Sequence, residues 1–400
     1  MKIDVDVLKR KVEENTDNMV KFLRDLVALP SSSSEEKEVA LRIKKEMEDC
    51  GFDEVFIDDY GSVIGRMGSG KPRILYDGHI DTVDVGDPSK WDFDPFKGKL
   101  ENGFVWGRGA SDNKAAPVVQ IYGMKILREM IGDQIPGTVF VVGTVQEESC
   151  DGLALEYVIQ NDLGGDIDCV VLGECTNCGI YRGHRGRIEL ALTTSGVSSH
   201  APAPERGENA IYKMSPIVKE IEQLNERLKK DEFLGKGTVA VTKIKSVSDS
   251  LNCVPYSCQV HIDRRLTEGE TREIAIKEIT DLPSFKDAKV EVLEFSDPSY
   301  TGKTLTTEKY YPSWTLPEDH AVVQSAANAY RNIFEENPVI DKWTFSTNGV
   351  SSMGKLGIPT IGFGPSEERF AHTTEDKCSV EHLKKACMFY AGLSLFMEKG

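Results

Sequence analysis

Four short apolar runs, RILYDGHID (73–81), TVFVVGTVQEE (138–148), CVVLGE (169–174) and PTIGFGP (359–365), constrain this chain more than any other feature. Near-continuous Val, Ile and Leu without alternation suits strands covered on both faces, as in α/β proteins with helices on each side. Each run ends in a turn carrying polar residues, and open sheets of this kind bind ligands beyond the carboxyl ends of their strands. The expected fold is therefore α/β, a mixed open sheet with helices on both faces.

Four hundred residues exceed what one hydrophobic core supports, so a second domain is expected. Its pattern is visible between 184 and 297, where RIELALTT, TVAVTKIK, CQVHIDRR and KVEVLEF place apolar residues at every second position. That alternation means one buried and one exposed face. Two helical stretches, ENAIYKMSPIVKEIEQLNERLKK and ETREIAIKEITDL, interleave to give a ferredoxin-like β-α-β-β-α-β unit. The expected division is 1–183 and 298–400 for the main domain, with 184–297 inserted. Ahead of the first strand lies an amphipathic helix ending near Pro30, and the serines at 31–34 with Glu35 and Glu36 read as the N-cap and acidic first turn of the next helix.

The 65 acids against 48 bases give a net charge of −17, which argues against nucleic acid or an anionic membrane as partner. No apolar run is long enough to span a membrane, and the charged opening segment does not read as a signal peptide. Nine cysteines, an odd number, point to free thiols in a reducing compartment, hence the cytoplasm. The single C-x-x-C, Cys175 to Cys178, reads as two small loop residues. A small-molecule substrate is the expected partner, and an anionic one needs a local basic site.

Polar residues gather at the strand ends: His79 and Asp81, Asp112 in GRGASDNK, Glu147 and Glu148, Glu174, and His372 in FAHTTED. Two histidines with several carboxylates are ligand types for zinc, cobalt or manganese, and carboxylates can bridge a pair of ions. His79 and Asp81 lie two apart, so on an extended segment they share a face and the acid can hold the imidazole tautomer. Glu147 and Glu148 are neighbours, and on a strand leaving the core their side chains diverge.

The motifs GHIDTVDVGDPSKWDFDPF, GRGASDNKAA, QEES, GECTN and HAPAPERGENAI, in this order and reaching to His372, resemble the co-catalytic metallo-amidohydrolase family. That family includes acetylornithine deacetylase, succinyl-diaminopimelate desuccinylase, carboxypeptidase G and aminoacylase, and the tail FGPSEERFAHTTEDKCSVEHL is most similar to the subgroup called selenium-metabolism hydrolases. The resemblance implies a zinc-peptidase-like catalytic domain holding two divalent ions, zinc with cobalt or manganese as alternatives. His79, Asp112 and Glu174 would hold one ion, and Asp112, Glu148 and His372 the other. It makes Glu147 the general base, Asp81 the residue orienting His79, and His200 a catalytic histidine reaching across a homodimer formed by the inserted domain. Asn252 and Arg265 match substrate-binding positions.

Two departures stand out. STNGVSSM (346–353) replaces a loop that carries an acid in the family, so that Ser352, beside Ser351, stands where the acid would be, and Cys175 replaces a proline after Glu174. The implied reaction is hydrolysis of an amide-type C–N bond in a small carboxylate-bearing substrate, an N-acyl or N-carbamoyl amino acid such as a diamino acid derivative. The alternatives are a metallo-dipeptidase or carboxypeptidase-type peptidase, and an inactive relative that uses the fold for binding.

Overall fold

The computed structural model describes residues 4–397. The main sheet has nine strands, in the order Glu54–Ile57, Val63–Gly68, Thr138–Thr144, Arg73–His79, Cys169–Leu172, Thr360–Gly362, Ile180–His184 and Trp314–Thr315, with Ile340–Trp343 also paired to Ile180–His184. The four apolar runs form its centre and are mutually parallel, while Val63–Gly68 and Ile180–His184 pair antiparallel on either side. The sheet is thus mixed.

Both faces are covered, and this is why the runs do not alternate. Val139 and Val141 pack under the helices Val5–Val27, Lys37–Asp49, Ala115–Ile131, Ala321–Phe334 and Val380–Leu393. Phe140 and Val142 face the other way, toward Leu155, Val158, Trp314 and Trp343. Burial of each such side chain contributes roughly 1.5–3 kcal/mol. Among the described residues no helix is long and apolar enough to cross a membrane.

The serine run corrects one expectation. Helix Lys37–Asp49 begins without a side-chain cap, because the serines are used elsewhere. Ser31 donates to the Ile80 carbonyl at 2.9 Å, Ser32 to Asp84 at 2.8 Å and Ser33 to Asp81 at 2.6 Å, stitching the loop to the end of the Arg73–His79 strand.

The second sheet is antiparallel, ordered Thr238–Val247, Ser257–Leu266, Gly186–Ser195 and Ala288–Val292. Helices Ala210–Arg227 and Arg272–Thr280 lie between its first and second and its third and fourth strands in chain order, the split β-α-β-β-α-β arrangement. Ile188, Leu190, Leu192, Val260 and Ile262 are buried against the helices. Arg187, Glu189 and Arg265 lie on the alternate positions of the strands. Tyr310–Tyr311, beyond the expected limit at 297, also pairs with Gly186–Ser195. The chain leaves the main sheet at His184 and enters the second at Gly186, so Arg187 sits at the crossing.

Candidate active site

Adjacent parallel strands end on the same side, and this brings distant residues together. His79 closes Arg73–His79, Glu147 and Glu148 follow Thr138–Thr144, and Glu174 follows Cys169–Leu172. Asp112 comes from the loop before helix Ala115–Ile131, and His372 from a loop where its φ is 58°. His79 Nε2 lies 3.0 Å from Asp112 Oδ1 and 3.4 Å from Glu174 Oε1. His372 Nε2 lies 3.1 Å from Asp112 Oδ2 and 3.1 Å from Glu148 Oε2. Asp112 therefore presents one oxygen to each histidine, and the donor atoms form two groups able to hold a metal ion, His79 with Asp112 and Glu174, and Asp112 with Glu148 and His372.

The donors fit divalent cations. His79 Nδ1 is 3.0 Å from the Asp81 carbonyl, an acceptor only, so Nδ1 carries a proton and Nε2 is the atom turned to the carboxylates. Lone pair against carboxylate is repulsive unless positive charge lies between them. The titration directions agree. Burial pushes Glu174 up to about 8, with Asp112 and Glu148 adding to it against His79, and burial likewise raises Glu147 and Glu148. The hydrogen bonds of Asp112 and Glu148 raise His372 to about 10; burial opposes charge on His79, yet Glu147 and Glu174 hold its pKa well above the usual value. Burial opposes charge on Asp112, yet the hydrogen bonds of His372 and His79 hold its carboxyl below the usual range; the three glutamates and both histidines, raised together, describe a site short of positive charge.

The Glu147–Glu148 pair does not sit on an extended strand, which corrects the strand-divergence expectation. The strand stops at Thr144 and Gln146 adopts φ 55°, so the two glutamates lie in a turn. Asp81 holds that turn. Its Oδ1 accepts the Glu147 N–H at 3.0 Å and its Oδ2 the Glu148 N–H at 3.1 Å, while its carboxylate stands 3.5 Å from His79 Nδ1. Buried Glu36 accepts the Gln146 N–H at 3.0 Å, and Tyr60 donates to the Gln146 side chain. On the other flank, buried Asp376 accepts the N–H groups of Gly109 and Ser111 and the guanidinium of Arg108, fixing the loop that carries Asp112.

The five donors and Glu147 line a cleft of about 390 Å³. Glu147 belongs to neither donor group, and its Oε2 is 4.0 Å from His79 Nε2. The cleft also takes in Arg265, as expected, and Asp151, Arg187 and Ser346, to which the sequence reading gave no role. Asp151 lies three residues after Glu148, and Arg187 is a charged residue at the head of an alternating strand; neither signal stands out without the fold. His200 and Asn252 do not line the cleft. They meet on two exposed loops beside the second sheet, where the Ala201 N–H donates to the Asn252 carbonyl at 2.8 Å and His200 bridges Cys253.

Several other residues turn inward. Ser352 accepts a hydrogen bond from Thr360 at 2.9 Å, and Ser351 donates to the Asn348 carbonyl at 3.0 Å. Cys175 and Cys178 are buried free thiols. Trp314 packs on Trp343, with ring centroids 6.5 Å apart, and Tyr311 lies beneath Arg187.

Residues 75–395 match the family model described as peptidase family M20/M25/M40. The chain belongs to this family. Its members are metal-dependent hydrolases of amide and peptide bonds, and the chain is one of them. It is 46% identical over 395 residues to the protein designated YgeY of Escherichia coli (strain K12), covering 98% of each chain. It is 25% identical over 264 residues to succinyl-diaminopimelate desuccinylase of Bordetella petrii, covering 63% of this chain and 68% of that one. The Bacillus subtilis YXEP protein, described as a dinuclear metal binding peptidase of the M20 family, has the same fold at a TM-score of 0.72, with 14% identity and coverage of 97% and 100%.

Proposed function

We propose that this member of the family is a dinuclear hydrolase that cleaves the amide-type C–N bond of a small carboxylate-bearing substrate, an N-acyl or N-carbamoyl amino acid, with Glu147 as general base. The observation that carries the reading is the placement of Glu147, in the cleft beside both donor groups and a member of neither. His79, Asp112 and Glu174 would hold one ion and Asp112, Glu148 and His372 the other, zinc in the first instance, with cobalt or manganese compatible with the same N and O donors. When bound, such a pair acidifies a water and polarises the scissile carbonyl. Glu147 takes the proton from the attacking water and delivers it to the departing nitrogen. Asp81 fixes the turn from which Glu147 works, and Arg265 offers a guanidinium to the substrate carboxylate.

Residues 184–297 serve in this reading as lid and dimerisation domain. Thr238–Val247 is an edge strand with Ile244 exposed, and an unpaired edge with an apolar side chain favours strand addition by a second copy. His200 and Asn252, outside the cleft of their own chain, would then serve the partner's cleft, His200 stabilising the negative charge that develops on the scissile carbonyl. The nine free thiols suit the cytoplasm.

The test is a substrate panel. Zinc- or cobalt-reconstituted protein is incubated with N-acetyl, N-succinyl and N-carbamoyl amino acids beside dipeptides, and amine release is measured. Turnover of the acylated or carbamoylated compounds that disappears in Glu147→Ala is the expected result. Turnover confined to peptides would move the assignment to the metallopeptidase reading, and none at all to a binding protein.

A further inference from the structure

We infer that Arg187 joins Arg265 in a two-arginine clamp for the substrate's free carboxylate and is thereby a specificity-determining residue; this rests on the amidohydrolase reading of the cleft. The two arginines are direct cross-strand partners in the second sheet, and both line the cleft. Like charges placed opposite one another on a sheet destabilise it; Asp151 and Asp263 offset part of that repulsion, and an anion shared by the two guanidiniums would offset more.

Each guanidinium is pre-oriented yet only partly used. Arg187 donates from Nη2 to Asp151 Oδ1 at 2.8 Å and lies over the Tyr311 ring at 4.4 Å. Asp151 is in turn held by the Ser346 hydroxyl. Arg265 gives Nε and Nη2 to Asp263 at 2.7 and 3.0 Å. The Nη1 group of neither arginine makes a hydrogen bond among the described residues, Arg187 Nη1 standing 3.8 Å from Glu189. A planar guanidinium locked by a carboxylate on one edge and an aromatic ring beneath it loses little freedom on binding an anion at its open edge. Arg187 stands at the crossing between the two sheets, tied to Asp151 on the segment that carries Glu147, so it keeps its place relative to the general base whatever the rest of the second domain does.

The experiment measures binding, separately from turnover. Calorimetry on zinc-loaded protein carrying Glu147→Gln, which binds without turnover, compares N-acetylglycine with N-acetylglycinamide, which has the same shape but no charge, in otherwise wild-type protein, Arg187→Met, Arg187→Lys and Asp151→Asn. The clamp predicts that the otherwise wild-type protein prefers the acid, that Arg187→Met weakens the acid roughly 10- to 100-fold and leaves the amide unchanged, and that Arg187→Lys falls between. It also predicts that Asp151→Asn, which keeps the guanidinium and leaves it a neutral acceptor, still prefers the acid to the amide and weakens the acid much less than Arg187→Met does. A structural Arg187–Asp151 bridge would instead make Arg187→Met and Asp151→Asn equivalent. That equivalence, an unchanged acid affinity in Arg187→Met, or no saturable binding of the acid by the otherwise wild-type protein at millimolar concentrations would overturn the clamp. Circular dichroism and bound zinc establish that each variant is folded. If the panel shows no hydrolysis while the acid preference still depends on Arg187, the reaction assignment fails and the clamp stands.

Discussion

Replacing Asp81 with Asn changes one carboxylate oxygen to an amide nitrogen at a fully buried position that accepts three hydrogen bonds: from the Glu147 N–H at 3.0 Å, the Glu148 N–H at 3.1 Å and Ser33 at 2.6 Å. Whichever way the amide is turned, its NH₂ faces one of the two backbone N–H groups, donor against donor, and the charge that strengthens the other bonds is gone. A hydrogen bond to a charged group contributes about 1.5–3 kcal/mol, and leaving a buried N–H unpaired lies in the same range, so the turn should lose about 2–4 kcal/mol. This is less than the stability of a typical domain, about 5–15 kcal/mol, and the variant should fold. If the loss falls on placement of Glu147 in the transition state, kcat drops about 30- to 900-fold. The assay is steady-state kinetics on the best substrate of the panel, at saturating metal, with bound metal measured in parallel. The expected signature is a large kcat loss with both ions retained. A kcat within about threefold of wild type would refute the positioning argument, and loss of one ion with normal kcat on reconstitution would mean that Asp81 acts chiefly through His79.

Glu147→Gln should bind two metal equivalents while kcat falls about 10²- to 10⁴-fold, and His372→Ala should bind one equivalent fewer, both read by elemental analysis with kinetics. Co-producing Glu147→Ala with His200→Ala should restore part of the activity lost in each alone, since the mixed dimer would contain one complete site; no recovery in verified mixed dimers would place His200 outside trans catalysis. Burial pushes Asp58 up to about 6 from an ordinary value of 3.8, with Asp162 adding to it against the N–H bonds of Gly61, Ser62 and Tyr60. A raised folded-state pKa means stability that is fully present below about 4 and lost as pH rises through 6, so Asp58→Asn should gain about 2–3 kcal/mol over wild type between pH 4 and pH 7 in urea melts; parallel pH dependences would contradict this. Gly364→Ala would put a Cβ 2.1 Å from the Glu174 carbonyl oxygen and 2.2 Å from that of Gly173, backbone atoms that cannot yield without moving Glu174. It should lower both the melting temperature and the affinity for the ion on His79 and Glu174.

The donor residues were legible because their signal is local. A strand buried on both faces announces itself as an unbroken apolar run, and the first polar residues after it stand where open α/β sheets place their ligands. Glu147, Glu148 and Glu174 follow from that rule, and Asp112 and His372 from the order of the motifs. The serine run shows the opposite case. Ser-Ser-Glu-Glu before an apolar-periodic stretch is a sound local signal for a helix cap, yet the tertiary fold offers Ser31 and Ser33 partners near residue 80 and they are bound there instead. His79 and Asp81 add a part that the spacing does not show: Asp81 meets His79 Nδ1 through its carbonyl at 3.0 Å as well as its carboxylate at 3.5 Å, and that carboxylate also takes the glutamate turn.

Fold class, the alternating second sheet and the residue types at the strand ends are all written in the chain's local pattern, because hydrophobic period records which face of an element is buried and needs no knowledge of its neighbours. The tertiary structure decided which polar groups answer one another. Arg187 finds Asp151 across 36 residues, Asp151 finds Ser346 across 195, and Arg187 faces Arg265 only because their two strands are adjacent and antiparallel. Such pairings depend on direction and on distances of a few ångströms, which are set only when the helices and sheets have packed.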